Sequence, residues 1–196
     1  MAIAITIKSP HCCNILNGIK KGEIRKNENL HAAIEKAIAE KGKATIYVIC
    51  SKSKPMLFET YGYNGFRRFK TSDTALILNA LNGKVVCKFE CEKVEELYTD
   101  EDAWSYYTDT ITEDYKVSKI ACVDDVDIEE YLNGSIGYFI HISNLKVFEE
   151  PKELKELKHW TKKWIDCGMD CPPYVDDVLV PLTKAPQNFC YVEDTL

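Results

Sequence analysis

Ile15-Leu16-Asn17-Gly18-Ile19-Lys20-Lys21-Gly22-Glu23-Ile24-Arg25 is the stretch whose reading decides the fold of this chain. Residues 11–17 read as a short helix that Gly18 can end, because glycine accepts the left-handed conformation just past a helix C-terminus. Residues 21–25 then resume an extended pattern. On a strand, positions 21, 23 and 25 share one face, so Glu23 and Arg25 stand side by side. Lys20 leaves the turn after Gly18 and projects toward the same mouth. A carboxylate beside a guanidinium and an ammonium can hold a phosphate or a base edge while remaining nearly neutral overall. The same spacing also fits a surface ion pair on a strand, which contributes little energy.

Working outward, residues 3–8 alternate apolar and polar, as in a half-buried strand. Leu30, Ala33, Ile34, Ala37 and Ile38 recur at helical spacing, and the glycine at position 42 predicts a helix over 29–41. Ala44-Thr45-Ile46-Tyr47-Val48-Ile49-Cys50 is strongly β-prone and reads as a central strand. Residues 51–69 read as a polar, aromatic loop region. Asn82-Gly83 precedes an alternating strand over 84–91. Residues 95–127 are acidic and weakly patterned; helical turns and loop are expected there, anchored by Trp104, Tyr106 and Tyr107. Two short β runs follow at 137–142 and 145–148. Residues 151–164 read as a helix with Leu154, Leu157, Trp160 and Trp164 on one face, and residues 188–192 as a last strand. Strands spread from the first residues to the last predict one α+β domain over 1–196, a single closed sheet with helices rather than two domains in series.

The chain has 196 residues and ordinary globular composition, 45% hydrophobic and 29% charged. No apolar run is long enough to cross a bilayer, so no membrane partner is expected. The N-terminus alternates like a strand and lacks a signal peptide's basic region, which leaves the cytoplasm as the expected location. A net charge of −6 argues against a broad electrostatic nucleic-acid binder. A local basic site is compatible with it: Lys20, Lys21, Arg25 and Lys26 crowd one stretch, and Arg67, Arg68 and Lys70 another. Acids concentrate over residues 92–102 and 124–130. Arg67 and Arg68 beside Tyr61, Tyr63 and Phe66 suit either a single-strand nucleic-acid surface or a solvated loop with its rings tucked inward.

The nine cysteines fall mostly within apolar stretches, as reduced, buried thiols do. His159, Cys167 and Cys171 supply only three candidate zinc ligands, and Cys87 and Cys91 are expected to pack inward, so neither metal nor cofactor is expected. His141, on an alternating strand, is expected to be structural.

Ile5-Thr6-Ile7-Lys8-Ser9-Pro10, Ile15-Leu16-Asn17-Gly18 and Lys20-Lys21-Gly22-Glu23-Ile24-Arg25 resemble the N-terminal signature of ASCH domains, Gly-x-Lys-x-x-Glu-x-Arg following a strand and short helix. Residues 81–89, 138–148 with 151–154, and 186–193 resemble later segments of the phage and bacterial branch, in family order. The proline after Lys8 is displaced to position 10. Phe189 stands where the family commonly has tryptophan, and Phe139-Ile140 where it usually has Ala-Trp. The helix over 29–41 and the acidic stretch over 95–127 look like insertions into the compact family core.

The resemblance implies a PUA-like mixed β-barrel with flanking helices and a cleft beside the Lys-Glu-Arg segment. It implies an RNA- or nucleotide-binding protein whose ligand lies beside Lys20, Glu23 and Arg25; Lys8, and Arg67, Arg68 and Tyr63 from the basic aromatic stretch, are the further ligand contacts expected. Some compact members deacetylate acetylcytidine-type nucleosides using a lysine, a threonine and a glutamate. Lys20 matches that lysine, and Glu23 stands at the threonine position, so Lys20 and Glu23 would be the catalytic pair in that alternative. A base must lose its proton, and a neighbouring carboxylate favours the charged ammonium, so Glu23 favours recognition over hydrolysis. A third alternative is a phage-encoded interaction module whose acidic region contacts a host protein.

Overall fold

The computed structural model describes residues 1–52, 57–61, 65–69, 81–99, 105–165 and 174–196. Strand β1 (Ala2–Ile7) leads directly into helix α1 (Ser9–Leu16), which ends at Asn17 with Gly18 at φ 67°. Strand β2 (Gly22–Arg25) follows, then helix α2 (Glu28–Lys41). The Asn27 side chain accepts from the Leu30 N–H at one end of α2, and Gly42 closes the other in the left-handed conformation. Strand β3 (Ala44–Cys50) comes next, as the β-branched run predicts.

Residues 51–69, expected as loop, contain two strands instead. These are β4 (Leu57–Tyr61) and β5 (Gly65–Phe69), paired antiparallel with Glu59 opposite Arg67 and Phe58 opposite Arg68. Strands β6 (Val85–Cys91), β7 (Val94–Thr99) and β8 (Tyr106–Tyr107) follow. Helices α3 (Lys116–Ala121) and α4 (Asp125–Leu132) come next, then β9 (Gly137–His141) and β10 (Ser143–Lys152).

The helix expected over 151–164 is not formed. A 3-10 turn (Leu154–Glu156) leads into strand β11 (Lys158–Ile165), which pairs antiparallel with β12 (Tyr174–Pro181). Even spacing places Trp160 and Trp164 on one face of a strand as well as of a helix, and the Val- and Leu-rich β12 supplies the ladder that decides between them. Leu157 is buried, whereas Trp160 and Trp164 are exposed. Strand β13 (Phe189–Val192) ends the set where the sequence predicts it.

The architecture is mixed α+β. A five-stranded sheet in the order β10-β6-β3-β1-β13 places β3 at its centre, and β1 and β3 form its parallel pair. A second sheet has the order β2-β9-β7-β8. Chain direction carries β6 into β7, and β9 into β10, from one sheet to the other. No closed barrel is seen among the described residues. Both faces of the first sheet are covered. Ile3, Ile5 and Ile7 pack with α1 and α2, while Ala2 and Ala4 pack with Leu157, Leu182 and Val192. Near-continuous apolar strands are the expected consequence. A further core joins Ile24, Phe139 and Leu97 to Val117, Ala121, Ile128 and Leu132, so α3 and α4 sit against the second sheet. Among the described residues no helix is long and apolar enough to cross a membrane.

Candidate functional site

Lys20 is placed by its backbone before its side chain matters. The N–H groups of Ile19 and Lys20 both donate to the Asn14 carbonyl, and that of Lys21 to Ile120, which fixes the turn between α1 and β2. The hydrophobic sense of this turn is inverted: Ile19 is 56% exposed and Lys20 is 1% exposed. The Lys20 ammonium donates to the carbonyl of Ala121, at the end of α3, and lies 3.3 Å from Glu23 Oε2. Arg25, two residues along the same strand face, sets its Nε 2.9 Å from Glu23 Oε1. That Nε–H has no aligned acceptor, so the contact is an ion pair rather than a directed hydrogen bond. Arg25 Nη2 donates instead to the Thr6 carbonyl at 2.8 Å.

Two cations thus flank one buried carboxylate. Burial alone would push the Glu23 carboxyl up, but Lys20 and Arg25 outweigh it and hold it below the ordinary value. These three side chains border a cavity of about 630 Å³. Its remaining walls come from the end of β1 and the start of α1 (Thr6, Ile7, Lys8, His11), from Ile24 of β2, from Ser51 and Gln187, and from Val123 between α3 and α4 with Asp127, Ile128 and Tyr131 of α4. This volume lies within the range of small-ligand pockets, and a mostly apolar wall with a few convergent polar groups is their usual composition. His11 is neutral there: burial, then the charge of Lys20, lower its pKa from 6.5 to about 4.

Of the residues singled out by sequence, Lys8, Lys20, Glu23 and Arg25 meet in this one cavity. Arg67 and Arg68 lie on β5. Tyr63, and the cysteines of the possible zinc set, Cys167 and Cys171, lie outside the described residues. His141 is bound into a different network. Its Nε2 meets Glu95 Oε2, while Lys93 lies 2.9 Å from Oε1 and Thr110 contributes its N–H and hydroxyl. Burial would raise the Glu95 carboxyl, but these donors bring it down to about 2. No described group of histidine, cysteine and acidic side chains could hold a metal. Cys87 and Cys91 are fully buried.

Sequence reading missed His11, Asp127 and Tyr131 as cavity residues. The i, i+4 spacing of Asp127 and Tyr131 could have placed them on one helix face, but their partner wall is a hundred residues away. No family model matches the chain, and no curated protein does.

Proposed function

We propose that this chain is an RNA- or nucleotide-binding protein of the ASCH kind, with a PUA-like arrangement of its two sheets, and that it takes its ligand in the cavity beside Gly18-x-Lys20-x-x-Glu23-x-Arg25. One observation carries this reading: the Lys20–Glu23–Arg25 cluster is buried at the wall of a nucleotide-sized cavity. Removing three charged groups from water is costly unless they are paired, and paired, desolvated ions at a cavity are commoner at functional sites than on ordinary surfaces. Three cations, Lys8, Lys20 and Arg25, line the cavity against two carboxylates, Glu23 and Asp127, an excess of positive charge that suits an anionic or carbonyl-bearing ligand.

Hydrolysis fits the geometry less well. A general base needs a lone pair aimed at substrate, whereas Lys20 directs its protons at Ala121 and Glu23. Fluorescence anisotropy of short labelled single-stranded RNA and calorimetry with nucleoside monophosphates test the proposal. Binding should weaken with salt and fall about ten-fold or more in Arg25→Ala. Affinity indifferent to both would refute it. Release of acetate from acetylcytidine, lost in Lys20→Ala, would replace it with the hydrolase reading.

A further inference from the structure

The cavity has a second wall of opposite character. Helix α4 packs Ile128 and Leu132 into the core against Phe139 and Leu97, which fixes its rotation about its axis. That rotation turns Asp127 and Tyr131, one helical turn apart, toward the cavity. Asp127 is solvent-exposed and enters no ion pair among the described residues. Tyr131 is 41% exposed, and Lys26 lies 5.2 Å from the centre of its ring while donating to its backbone carbonyl. An anchored aromatic ring and a carboxylate that only accepts therefore face a wall whose Lys20 and Arg25 only donate.

We propose that Asp127 and Tyr131 read the base of the bound nucleotide: the ring of Tyr131 stacks on it, and Asp127 accepts its amino protons. This rests on the nucleotide reading above and adds a specificity to it. Adenine, cytosine and guanine carry an exocyclic amino group and uracil carries none. An acceptor-only carboxylate set at the exocyclic amino group gains hydrogen bonds from the first three, whereas uracil presents a carbonyl oxygen at that position and keeps its N3–H as its only ring donor, so uracil is held less well. Stacking is indifferent to base identity, because each base has a π-face. The two residues therefore divide affinity from selectivity.

Calorimetric titration of the full chain with UMP, CMP, AMP and GMP at one salt concentration separates the terms. The three amino-bearing nucleotides should bind about ten-fold tighter than UMP, and Asp127→Asn should level the four. Tyr131→Ala should weaken all four about ten-fold, with Tyr131→Phe close to the parent. Four equal affinities in the parent chain would overturn the inference while leaving the pocket itself in place. An equal loss across all four in Asp127→Asn would also overturn it, since Asp127 would then be holding the ribose. No binding of any of the four, with Arg25→Ala without effect, would instead sink the pocket reading.

Discussion

Replacing Glu23 by glutamine keeps the shape of the side chain and removes the charge that Lys20 and Arg25 share. At an effective dielectric constant of about 20, a unit charge 3.3 Å away contributes about 5 kcal/mol, and the Arg25 contact at 2.9 Å contributes about 6 kcal/mol. Much of this attraction is offset in the parent by the cost of burying the ions, with the Lys20, Glu23 and Arg25 side chains 1%, 7% and 17% exposed. What remains in Glu23→Gln is two cations facing each other without a counter-charge. Breaking a buried pair in this way costs about 3–5 kcal/mol. For a chain of this length that lowers the melting temperature by about 6–20 °C. Urea unfolding at pH 7 reads the loss as a shift in midpoint at constant slope. A cycle with Lys20→Met and the double variant should show about 2 kcal/mol of coupling, because Lys20→Met relieves part of the repulsion that Glu23→Gln creates. A loss below about 1 kcal/mol with additive single effects would refute the argument, since it would mean that water already screens the cluster.

His11 makes the fold acid-sensitive. Its folded-state pKa of about 4, against 6.5 ordinarily, means that the unfolded chain binds the proton more readily, so its contribution is fully present above pH 6.5 and is lost as pH falls toward 4. The total is about 3 kcal/mol; urea midpoints at pH 7, 5.5 and 4.5 should fall in the parent and flatten in His11→Gln, and parallel curves would refute it. Gly22→Ala places a Cβ 1.9 Å from Cζ of Phe139, whose ring is fully buried, so a cost of about 1–3 kcal/mol is expected, recovered in part by Phe139→Leu. Asn27→Ala removes the cap of α2 and should cost about 1 kcal/mol, whereas Asn27→Ser should cost little; equal losses would show that the side chain does not cap.

Elements whose signals are local were legible in the sequence. The helix over 29–41 carries its own apolar stripe and stop, and β3 its β-branched run; both stand within a residue or so of where they are read. Elements decided by a remote partner were not. Trp160 and Trp164 fit a helix face as well as a strand face, and only the pairing of β11 with β12 separates the two. β7 was hidden for a different reason. One of its inward residues is Glu95, a charge where an apolar residue would have completed the alternation, and the donors that satisfy it come from Lys93, Thr110 and His141. The candidate site divides the same way. Lys20, Glu23 and Arg25 are neighbours in sequence, so their meeting could be read from spacing, but the burial of Lys20 could not.

That burial depends on residues 101 positions later, because the acceptor for the Lys20 ammonium is the carbonyl of Ala121. The acidic stretch over 95–127, which reads as a charged appendage, therefore helps to build the cavity. Several of its charges are held as internal acceptors: Glu95 by Thr110, Lys93 and His141, Asp114 by the Tyr107 hydroxyl, and Asp125 by Ser118. An acid committed in this way is not available to an outside partner, so reversing its charge would disturb the fold before it disturbed any docking. Asp127 differs in that it faces the cavity. A lysine buried by one segment and a carboxylate presented by the next are two results of the same packing, α3 and α4 against the second sheet. Any change that loosens that packing should affect ligand affinity and the environment of Lys20 together.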